Sequence, residues 1–167
     1  CVMRHYFITG VSSGIGAALV SALSAGAKIT GVARRQDRLD AFSQKYANFH
    51  PIVADVTNAK AMQTAVNDAI KTSGSIDVAI LNAGIYTPQD GSKIDPAIYQ
   101  QHMDVNYMGV VNAMAPIVTD MINKKQGHIA ITSSVAGWRG LPKSAAYGPT
   151  KAALISLAES LYFDLTP

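Results

Sequence analysis

The sequence predicts an α/β fold in which one domain is built on an open, doubly wound parallel sheet. Three observations predict it. Segments with strand character alternate five times with segments of helical character along the 167 residues. The segment Val78–Leu81 is a continuous apolar run, which is typical of a strand covered on both faces of a parallel sheet. A glycine-rich segment, Gly10–Gly16, joins the first strand to the first helix.

Each predicted strand is a short apolar run bounded by a glycine or a polar residue. The first is followed by Gly10, the third by Asp55 and the fourth by Asn82. In chain order the strands are Tyr6–Thr9, Lys28–Ala33, Ile52–Ala54, Val78–Leu81 and Ile129–Thr132. Because parallel strands end at the same edge of a sheet, we expect the residues that follow them to share one crevice.

Each predicted helix has apolar residues at helical spacing. The first helix ends at Gly26, a residue that commonly stops helices. The fourth is the longest and contains Gly109 and Pro116. In chain order the helices are Gly16–Ala25, Asp37–Tyr46, Asn58–Thr72, Asp95–Asn123 and Pro149–Leu165.

The composition is that of an ordinary globular protein, with 49% hydrophobic and 15% charged residues. The net charge of +3 suits an anionic cofactor, but the basic residues are too dispersed to predict nucleic-acid binding. No apolar run approaches the ~20 residues that span a membrane, and the first residues lack the layout of a signal peptide. We therefore expect a cytoplasmic protein with no nucleic-acid or membrane partner.

Metal chemistry has no support in the sequence. The single cysteine, Cys1, permits neither an intramolecular disulfide nor a cysteine-based metal site. The four histidines are scattered without the spacing of metal ligands, and the sequence suggests no role for them: His5, His50, His102 and His128. We expect no metal site.

The glycine-rich segment has the context in which such a pattern predicts dinucleotide binding, because it follows a strand and opens a helix. Gly10 allows a sharp turn, Gly14 lets the backbone approach a pyrophosphate, and Gly16 lets helix and strand pack closely. The free N–H groups at the helix N-terminus favour an anion there. Taken alone, the segment is equally compatible with a tight turn that binds nothing, so the prediction depends on motifs further along the chain.

Tyr147 and Lys151 form the second strong pattern, since residues four apart lie on one face of a helix. An ammonium group within reach lowers the pKa of a phenol from about 10 by roughly 1–3 units. Pro149 suits the first turn of this helix, so Tyr147 would lie near its positive end, which favours the phenolate further. Ser134 follows a predicted strand and would reach the same crevice. The pattern predicts proton transfer to or from a substrate oxygen.

These motifs together resemble those of the classical branch of the short-chain dehydrogenase/reductase (SDR) family. That branch carries Thr-Gly-x-x-x-Gly-x-Gly, an Asn-Ala-Gly after the fourth strand, an Asn in the next helix, a Ser after the fifth strand, and Tyr-x-x-x-Lys. The matching residues here, in the same order, are Thr9–Gly16, Asn82-Ala83-Gly84, Asn106, Ser134 and Tyr147-Gly148-Pro149-Thr150-Lys151. The resemblance covers the whole chain and implies a Rossmann fold with NAD(P)-dependent exchange between a carbonyl and a secondary alcohol.

The resemblance also implies the catalytic roles. Tyr147 would be the general acid for carbonyl reduction and the base in the reverse direction. Ser134, rather than Ser133, would hold and polarise the substrate oxygen, because it lies 13 residues before the tyrosine. Lys151 would lower the tyrosine pKa and hold the nicotinamide ribose. Asn106 would break its helix locally and seat a water in a proton path from Lys151.

The end of the second predicted strand favours NADP(H) over NAD(H). A carboxylate there would accept the ribose hydroxyls of NAD, but the position is Ala33, followed by Arg34 and Arg35. The resemblance implies that Arg34 binds the 2′-phosphate of NADP(H), together with Ser12 or Ser13. The predicted cofactor-binding set is Gly10, Ser12, Ser13, Gly14, Ile15, Gly16, Arg34, Arg35, Asp55, Val56, Asn82, Ala83, Gly84, Tyr147 and Lys151.

Two of these residues have alternative roles. Asp55, with Val56, resembles the adenine contact of the family, and it could also be a helix N-cap or form an Asx-turn. Asn82 is expected to clamp the sheet edge, with Ala83 and Gly84 lying against the cofactor ribose.

The substrate is expected to be a small carbonyl or alcohol with an apolar body, if the apolar residues of two loops line its pocket rather than pack together. Those residues are Ile85, Tyr86, Trp138 and Leu141. Family members usually continue beyond the last helix, so we expect residues 1–167 to form an NAD(P)-binding domain that carries the catalytic residues and lacks the C-terminal strands and substrate segment. The helix around Asn106 and the last helix resemble the pair that forms dimers in the family, which implies a homodimer or homotetramer.

Two other functions compete with this interpretation. One is a non-catalytic NADP(H)-binding sensor or scaffold with the same fold, which the intact Ser134, Tyr147 and Lys151 argue against. The other is the extended branch of the family, which acts on nucleotide sugars. That branch spaces its glycines as Gly-x-x-Gly-x-x-Gly, a pattern that Gly10, Gly14 and Gly16 do not follow.

Overall fold

The computed structural model describes residues 3–165 and contains one five-stranded parallel sheet within them. The strand order is β3-β2-β1-β4-β5, and every neighbouring pair is parallel. The strands are β1 (Arg4–Thr9), β2 (Ala27–Ala33), β3 (Phe49–Val53), β4 (Val78–Leu81) and β5 (His128–Ile131). The predicted open parallel sheet of a Rossmann-like α/β domain is confirmed.

Helices follow each strand, close to the predicted positions. They are α1 (Gly14–Leu23), α2 (Gln36–Lys45), α3 (Ala59–Ser73), α4 (Pro96–His102), α5 (Gly109–Lys124) and α6 (Gly148–Leu165). The predicted helix Asp95–Asn123 is not a single α-helix, because the π-helical turn Met103–Met108 separates α4 from α5. Such a turn widens the helix by one residue and is frequent at functional sites.

The helices cover both faces of the sheet, as the continuous apolar strands require. Successive residues of a strand point to opposite faces, so Phe7 and Ile8 in β1 belong to two separate cores, and both side chains are fully buried. The Phe7 core includes Met62 and Val66 of α3 and Ile117 of α5. The other core is built from α1, α2 and the strands they cover.

The edge strand β3 begins earlier than predicted, at Phe49 instead of Ile52. Pro51 lies inside it and pairs in register with Gly31. A proline has no N–H to give to a ladder, but an edge strand has a neighbour on one side only and tolerates it there. The predicted strand, Ile52–Ala54, therefore left out the part of β3 that precedes and includes Pro51.

The chain order places the carboxyl ends of the strands together. It runs outward from β1 to β2 and β3, then returns to β4 on the other side of β1, so the direction of winding reverses between β1 and β4. In open α/β sheets, ligands bind in the crevice at such a reversal. The register aligns Thr9 with Leu81, and Leu81 with Ile131, so the residues that follow these three strands emerge side by side.

At the amino ends of the strands, opposite the crevice, the buried His5 in β1 links three parts of the chain. Its Nδ1 lies 2.7 Å from the carbonyl oxygen of Gly74, and its Nε2 lies 2.8 Å from the hydroxyl of Thr30. Its backbone N–H donates to Asp77 Oδ2 at 2.8 Å. Burial disfavours the charged imidazolium and lowers the pKa of His5 below its ordinary value of 6.5.

We therefore expect the protein to lose stability below about pH 6.5, and His5 to account for a measurable part of the loss. In that range the unfolded chain binds a proton at this residue that the folded chain does not, so the free energy of unfolding falls by up to about 1.4 kcal/mol per pH unit. Urea denaturation of the wild type and His5→Gln between pH 5 and 8 measures the difference in slope.

The matched control for this experiment is His50→Gln, which removes a partly exposed imidazole paired with Asp68. Subtracting each variant from the wild type removes the contribution of the carboxylates that both proteins share. An equal pH slope in wild type and His5→Gln would contradict the assignment.

No helix within residues 3–165 combines the length and the apolar character needed to cross a membrane.

Candidate active site

The turn between β1 and α1 requires glycine at two positions for different reasons. Gly10 has a φ of +75°, and a Cβ there would lie 2.7 Å from the Cα of Ala83. A Cβ on Gly16 would overlap the carbonyl oxygen of Gly10. A side chain at either position would push α1 away from the sheet or close the turn. The structure therefore has the tight, bare backbone at a helix N-terminus that a pyrophosphate would need.

A groove of about 310 Å³ opens at the carboxyl ends of β1, β2, β3 and β4, at the point where the winding reverses. Its lining includes ten residues of the predicted cofactor set: Gly10, Ser12, Ser13, Arg34, Arg35, Asp55, Val56, Asn82, Ala83 and Gly84. It is completed by Val32, Ala33, Ala54, Ile85 and Val105. We call this the central groove. Of the remaining predicted residues, Gly14, Ile15 and Gly16 begin α1 beside it, and Tyr147 and Lys151 belong to the neighbouring α6 region.

The two arginines that follow β2 have different surroundings. Arg35 donates to the carbonyl oxygen of Ser12 at 3.1 Å and to its hydroxyl at 3.0 Å. The guanidinium of Arg34 lies 3.8 Å from Asp55 Oδ2, and its side chain is 69% exposed. An exposed pair at that distance is worth at most about 1 kcal/mol, so Arg34 can turn toward an anion in the groove. It is Arg35, and not Arg34, that contacts Ser12.

Asp55 forms an Asx-turn and does not cap α3. Its Oδ1 accepts from the backbone N–H of Thr57 at 2.9 Å and from the Thr57 hydroxyl at 2.8 Å. The backbone N–H of Thr57 is the main cause that lowers the pKa of Asp55. The N-cap of α3 is Asn58, whose Oδ1 accepts from the backbone N–H of Ala61 at 2.9 Å. Of the two structural roles considered for Asp55, the turn is observed and the cap is not.

Asn82 ties the ends of three strands together at the base of the groove. Its backbone N–H donates to the Thr9 hydroxyl at 3.0 Å, and its Nδ2 donates to the Gly10 carbonyl at 3.5 Å. The Thr132 hydroxyl, which follows β5, donates to its Oδ1 at 3.2 Å. Because β1, β4 and β5 are joined here, the glycine turn and the residues after β5 are held in fixed relation.

Asn106 is fully buried in the π-helical turn, where every hydrogen-bonding atom of its side chain is used. Its Oδ1 accepts from the N–H of Ile85 at 2.7 Å, and its Nδ2 donates to the Ile85 carbonyl at 3.0 Å and to the Thr150 hydroxyl at 3.1 Å. Thr150 lies between Tyr147 and Lys151. Asn106 thus holds the loop after β4 and the start of α6 against the same turn of helix.

Lys151 is buried beside the groove, with only 4% of its surface exposed. Its ammonium donates to the Thr132 carbonyl at 2.8 Å and lies 5.5 Å from the centre of the Tyr147 ring. Burial lowers the pKa of Lys151 below its ordinary value. A Cβ built on Gly84, a groove residue, would lie 3.6 Å from the same nitrogen. The ammonium therefore lies where the groove meets the tyrosine.

Ser133 and Ser134 follow β5 and have different roles. The Ser133 hydroxyl donates to the Lys151 carbonyl at 3.0 Å, which attaches the end of the strand to α6. The hydroxyl of Ser134 accepts from the N–H of Ala136 at 3.2 Å and caps the 3₁₀ turn Val135–Gly137. That contact uses a lone pair of Ser134 and leaves its hydroxyl hydrogen available to another oxygen.

Tyr147 directly precedes α6, and its carbonyl accepts from the Thr150 hydroxyl at 2.7 Å. Its ring meets the ring of Tyr86 edge-on, with centroids 5.0 Å apart and an interplanar angle of 61°. Neither this aromatic pair nor the carbonyl of Thr132 that holds Lys151 was predicted from the sequence. Backbone carbonyls leave no signal in a sequence, and Tyr86 was considered only as a residue that lines the substrate pocket, because nothing in its spacing relates it to Tyr147.

The structure thus brings Tyr147, Lys151 and Asn106 into one connected set of contacts beside the central groove. It places Ser134 at the end of the neighbouring strand β5. Trp138 is 80% exposed and Leu141 is 40% exposed on the loop between Ser134 and Tyr147. The backbone N–H of Gln89 donates to the Lys143 carbonyl at 3.0 Å, which joins this loop to the one that carries Tyr86.

The comparisons with known proteins agree on the family. A family model described as short chain dehydrogenase matches residues 4–167. An uncharacterised oxidoreductase of Listeria innocua, Lin0452, is 40% identical over 162 residues, which are 94% of this chain and 65% of that protein. An uncharacterised oxidoreductase of Saccharomyces cerevisiae, YIR035C, is 34% identical over 92% of this chain and 62% of its own length.

A solved structure shows the same relationship in three dimensions. The apo form of LigO from Sphingobium sp. strain SYK-6 superposes with a TM-score of 0.92 and 31% identity, covering 98% of this chain and 64% of that one. The chain therefore spans about two thirds of the length of the relatives it matches. With its fold, its groove and these matches taken together, the chain belongs to the short-chain dehydrogenase family.

Proposed function

We propose that this chain is the catalytic and cofactor-binding part of an NADP(H)-dependent oxidoreductase that interconverts a carbonyl and a secondary alcohol. The observation that carries the proposal is the position of the buried Lys151 ammonium. It lies 5.5 Å from the centre of the Tyr147 ring and 3.6 Å from the place that a Cβ on Gly84 of the central groove would take. A buried cation beside a phenol and a dinucleotide groove is the arrangement that proton transfer next to a nicotinamide requires.

The residues present fit the cofactor. The glycine turn offers backbone N–H groups at the N-terminus of α1 for a pyrophosphate, and a Cβ at Gly10 or Gly16 would force the turn open because it would overlap the backbone of Ala83 or Gly10. We propose that Asp55 and Val56, which line the groove, hold the adenine, and that Asn82, Ala83 and Gly84, which also line it, lie against the ribose. When bound, the reduced cofactor supplies the hydride that adds to the carbonyl carbon.

The chain itself supplies the proton and the binding of the substrate oxygen. Tyr147 donates its phenolic proton to that oxygen in reduction and accepts it in the reverse reaction. Ser134 donates a hydrogen bond to the same oxygen, where negative charge develops. Lys151 favours the phenolate left on Tyr147, and we propose that the widened turn at Asn106 seats a water that returns a proton toward Lys151.

The experiment that tests this function is NADPH consumption by the full-length protein against a panel of ketones, aldehydes and quinones. Turnover of any of them supports the proposal. Tight NADPH binding with no turnover across the panel would favour the competing function, a sensor or scaffold that uses the same groove.

Preference for NADP(H) is the second part of the proposal, and two features support it. Ala33 leaves the end of β2 without a carboxylate to repel a 2′-phosphate, and Arg34 and Arg35 both line the groove beside it. We expect Arg34→Ala to weaken NADPH binding about ten- to a hundredfold, since a charge-assisted hydrogen bond is worth roughly 1.5–3 kcal/mol, and to leave NADH binding nearly unchanged. Fluorescence titration with both cofactors measures the two constants.

Arg38→Ala is the matched control, because it removes the same charge from an exposed residue of α2 that does not line the groove. It should leave the ratio of the two dissociation constants as in the wild type. Equal losses of NADPH and NADH affinity in Arg34→Ala would show that Arg34 does not bind the 2′-phosphate.

The finer assignments follow from the same geometry. We propose that the substrate has an apolar body, which the exposed Trp138 and Leu141 support. We propose a homodimer or homotetramer formed through α5 and α6, which the apolar Ile122 and Phe163 support because they are 58% and 79% exposed. A cytoplasmic location remains a prediction from the sequence.

A further inference from the structure

The loop after β4 is fastened to the helical segment opposite by two side chains four residues apart. Asn106 binds both backbone groups of Ile85, at 2.7 and 3.0 Å. One helical turn earlier, His102 accepts from the backbone N–H of Thr87 at 3.1 Å. The residue between these two anchored positions is Tyr86.

The contacts of His102 fix its tautomer. Its Nδ1 lies 2.7 Å from the carbonyl oxygen of Ile98, which can only accept, so Nδ1 must carry the hydrogen. Nε2 is then the acceptor that Thr87 needs. The side chain is fully buried, so each bond lacks competition from solvent. The side chain of His102 makes two hydrogen bonds among residues 3–165. One is to Ile98 in its own helix, and the other is to Thr87 in the loop that carries Tyr86.

The ring of Tyr86 has one aromatic contact among the described residues, and its partner is Tyr147. Half of its surface is exposed, at 51%. Its ring meets the Tyr147 ring at a centroid distance of 5.0 Å, while the Lys151 ammonium lies 5.5 Å from the centre of the same Tyr147 ring. Among residues 3–165, the Tyr147 ring has one aromatic contact, with Tyr86, and one cation–π contact, with Lys151.

We propose that Tyr86 is a positioning residue for Tyr147, and that His102 acts through Thr87 to hold Tyr86 in place. This rests on the proposed function, in which Tyr147 donates the proton. Neither Tyr86 nor His102 touches the substrate oxygen in this mechanism. They restrict the Tyr147 ring to the orientation from which its hydroxyl serves the substrate, so their loss lowers kcat and leaves cofactor binding intact.

The first test compares pairs of variants in the full-length protein. An edge-on aromatic pair contributes enough that its loss should lower kcat about three- to tenfold. We expect this loss in Tyr86→Leu, and a value close to wild type in Tyr86→Phe, which keeps the ring. His102→Leu should lower kcat as Tyr86→Leu does. His102→Gln should restore it, because its amide oxygen can accept from Thr87. The NADPH dissociation constant should stay within about twofold of wild type in all four.

The double variant distinguishes positioning from two separate defects. If His102 acts through Tyr86, then His102→Leu combined with Tyr86→Leu should be no slower than the slower single variant, since coupled residues are not additive. Each of three results would overturn the proposal: a fold-loss of kcat in the double variant that equals the product of the two single losses, an unchanged kcat in Tyr86→Leu, or a kcat in His102→Gln as low as that in His102→Leu. His50→Leu, which removes a histidine outside this loop, is the control and should leave kcat unchanged.

A second measurement needs no turnover and separates this inference from the proposed function. NMR of the protein with labelled tyrosine rings reports the flip rate of Tyr147, and hydrogen exchange reports the Thr87 amide. Both rates should rise in His102→Leu and return toward wild type in His102→Gln, and the flip rate alone should rise in Tyr86→Leu. Unchanged rates overturn the positioning role, whereas an inactive wild type with these expected rates would count against the proposed function only.

Discussion

Replacing Tyr147 by phenylalanine should lower kcat by about two to four orders of magnitude, the range that a general acid contributes. The change removes one oxygen and keeps the ring, so the contacts with Tyr86 and with the Lys151 ammonium remain. Because Tyr147 is not among the residues that line the central groove, NADPH affinity should stay within about threefold of wild type. Steady-state kinetics and a fluorescence titration of NADPH measure the two quantities.

Tyr6→Phe is the matched control for this prediction. It removes a phenolic oxygen from β1, where Tyr6 packs against the core that contains Ile8, and it should leave kcat unchanged. Turnover by Tyr147→Phe near that of the wild type, with the cofactor bound normally, would remove Tyr147 from its catalytic role.

The second large effect is expected on stability. Asn106→Ala removes three hydrogen bonds at a fully buried position and leaves both backbone groups of Ile85 and the Thr150 hydroxyl without that partner. Each buried polar group that loses its partner costs about 1–3 kcal/mol, so the free energy of unfolding should fall by roughly 2–5 kcal/mol. Urea denaturation followed by far-UV circular dichroism measures it.

Asn67→Ala provides the comparison, because Asn67 is exposed on α3 and its side chain bonds only to the Gln63 side chain among the hydrogen bonds of the described residues. A surface change of this kind should stay within about 0.5 kcal/mol of the wild type. A loss in Asn106→Ala no greater than that of Asn67→Ala would show that Asn106 does not fasten the loop and α6 to the π-helical turn.

The parts of the fold that the sequence predicted are those that depend on local periodicity. Val78–Leu81 is apolar at every position, and the strand β4 has those same bounds. The polar residues that follow the strands, such as Asn82, lie at one edge because parallel strands must end together. Tyr147 and Lys151 were expected to meet because four residues make one helical turn, and the ammonium does lie over the tyrosine ring.

The parts that could not be predicted are contacts between residues distant in the chain. Nothing in the order Arg34-Arg35 indicates which guanidinium bonds to Ser12, because the choice depends on how the chain turns after β2. The bond between His102 and Thr87 depends on the position of α4 beside the loop after β4. For the π-helical turn, the resemblance implied a local break at Asn106, but its π-helical form and its bounds, Met103–Met108, could not be predicted from residues that are ordinary in helices.

Lys151 shows how the site differs from the rest of the core. Lys151 is only 4% exposed, and within the described part of the chain its ammonium makes one hydrogen bond, to Thr132. Such a buried charge is a destabilising feature, as the lowered pKa of this lysine reflects. A core selected for stability alone would place an apolar side chain there. Residues that reduce stability in this way are concentrated at functional sites, which agrees with the proposed role of Lys151 beside Tyr147.

The decisive experiment for the proposed mechanism is a crystal structure of the full-length protein with NADP⁺ and a bound alcohol or unreactive ketone. The mechanism predicts that the cofactor occupies the central groove. It also predicts that the phenolic oxygen of Tyr147 and the hydroxyl of Ser134 both lie within hydrogen-bond distance of the substrate oxygen. A complex in which NADP⁺ fills the groove while the substrate oxygen contacts neither hydroxyl would contradict it.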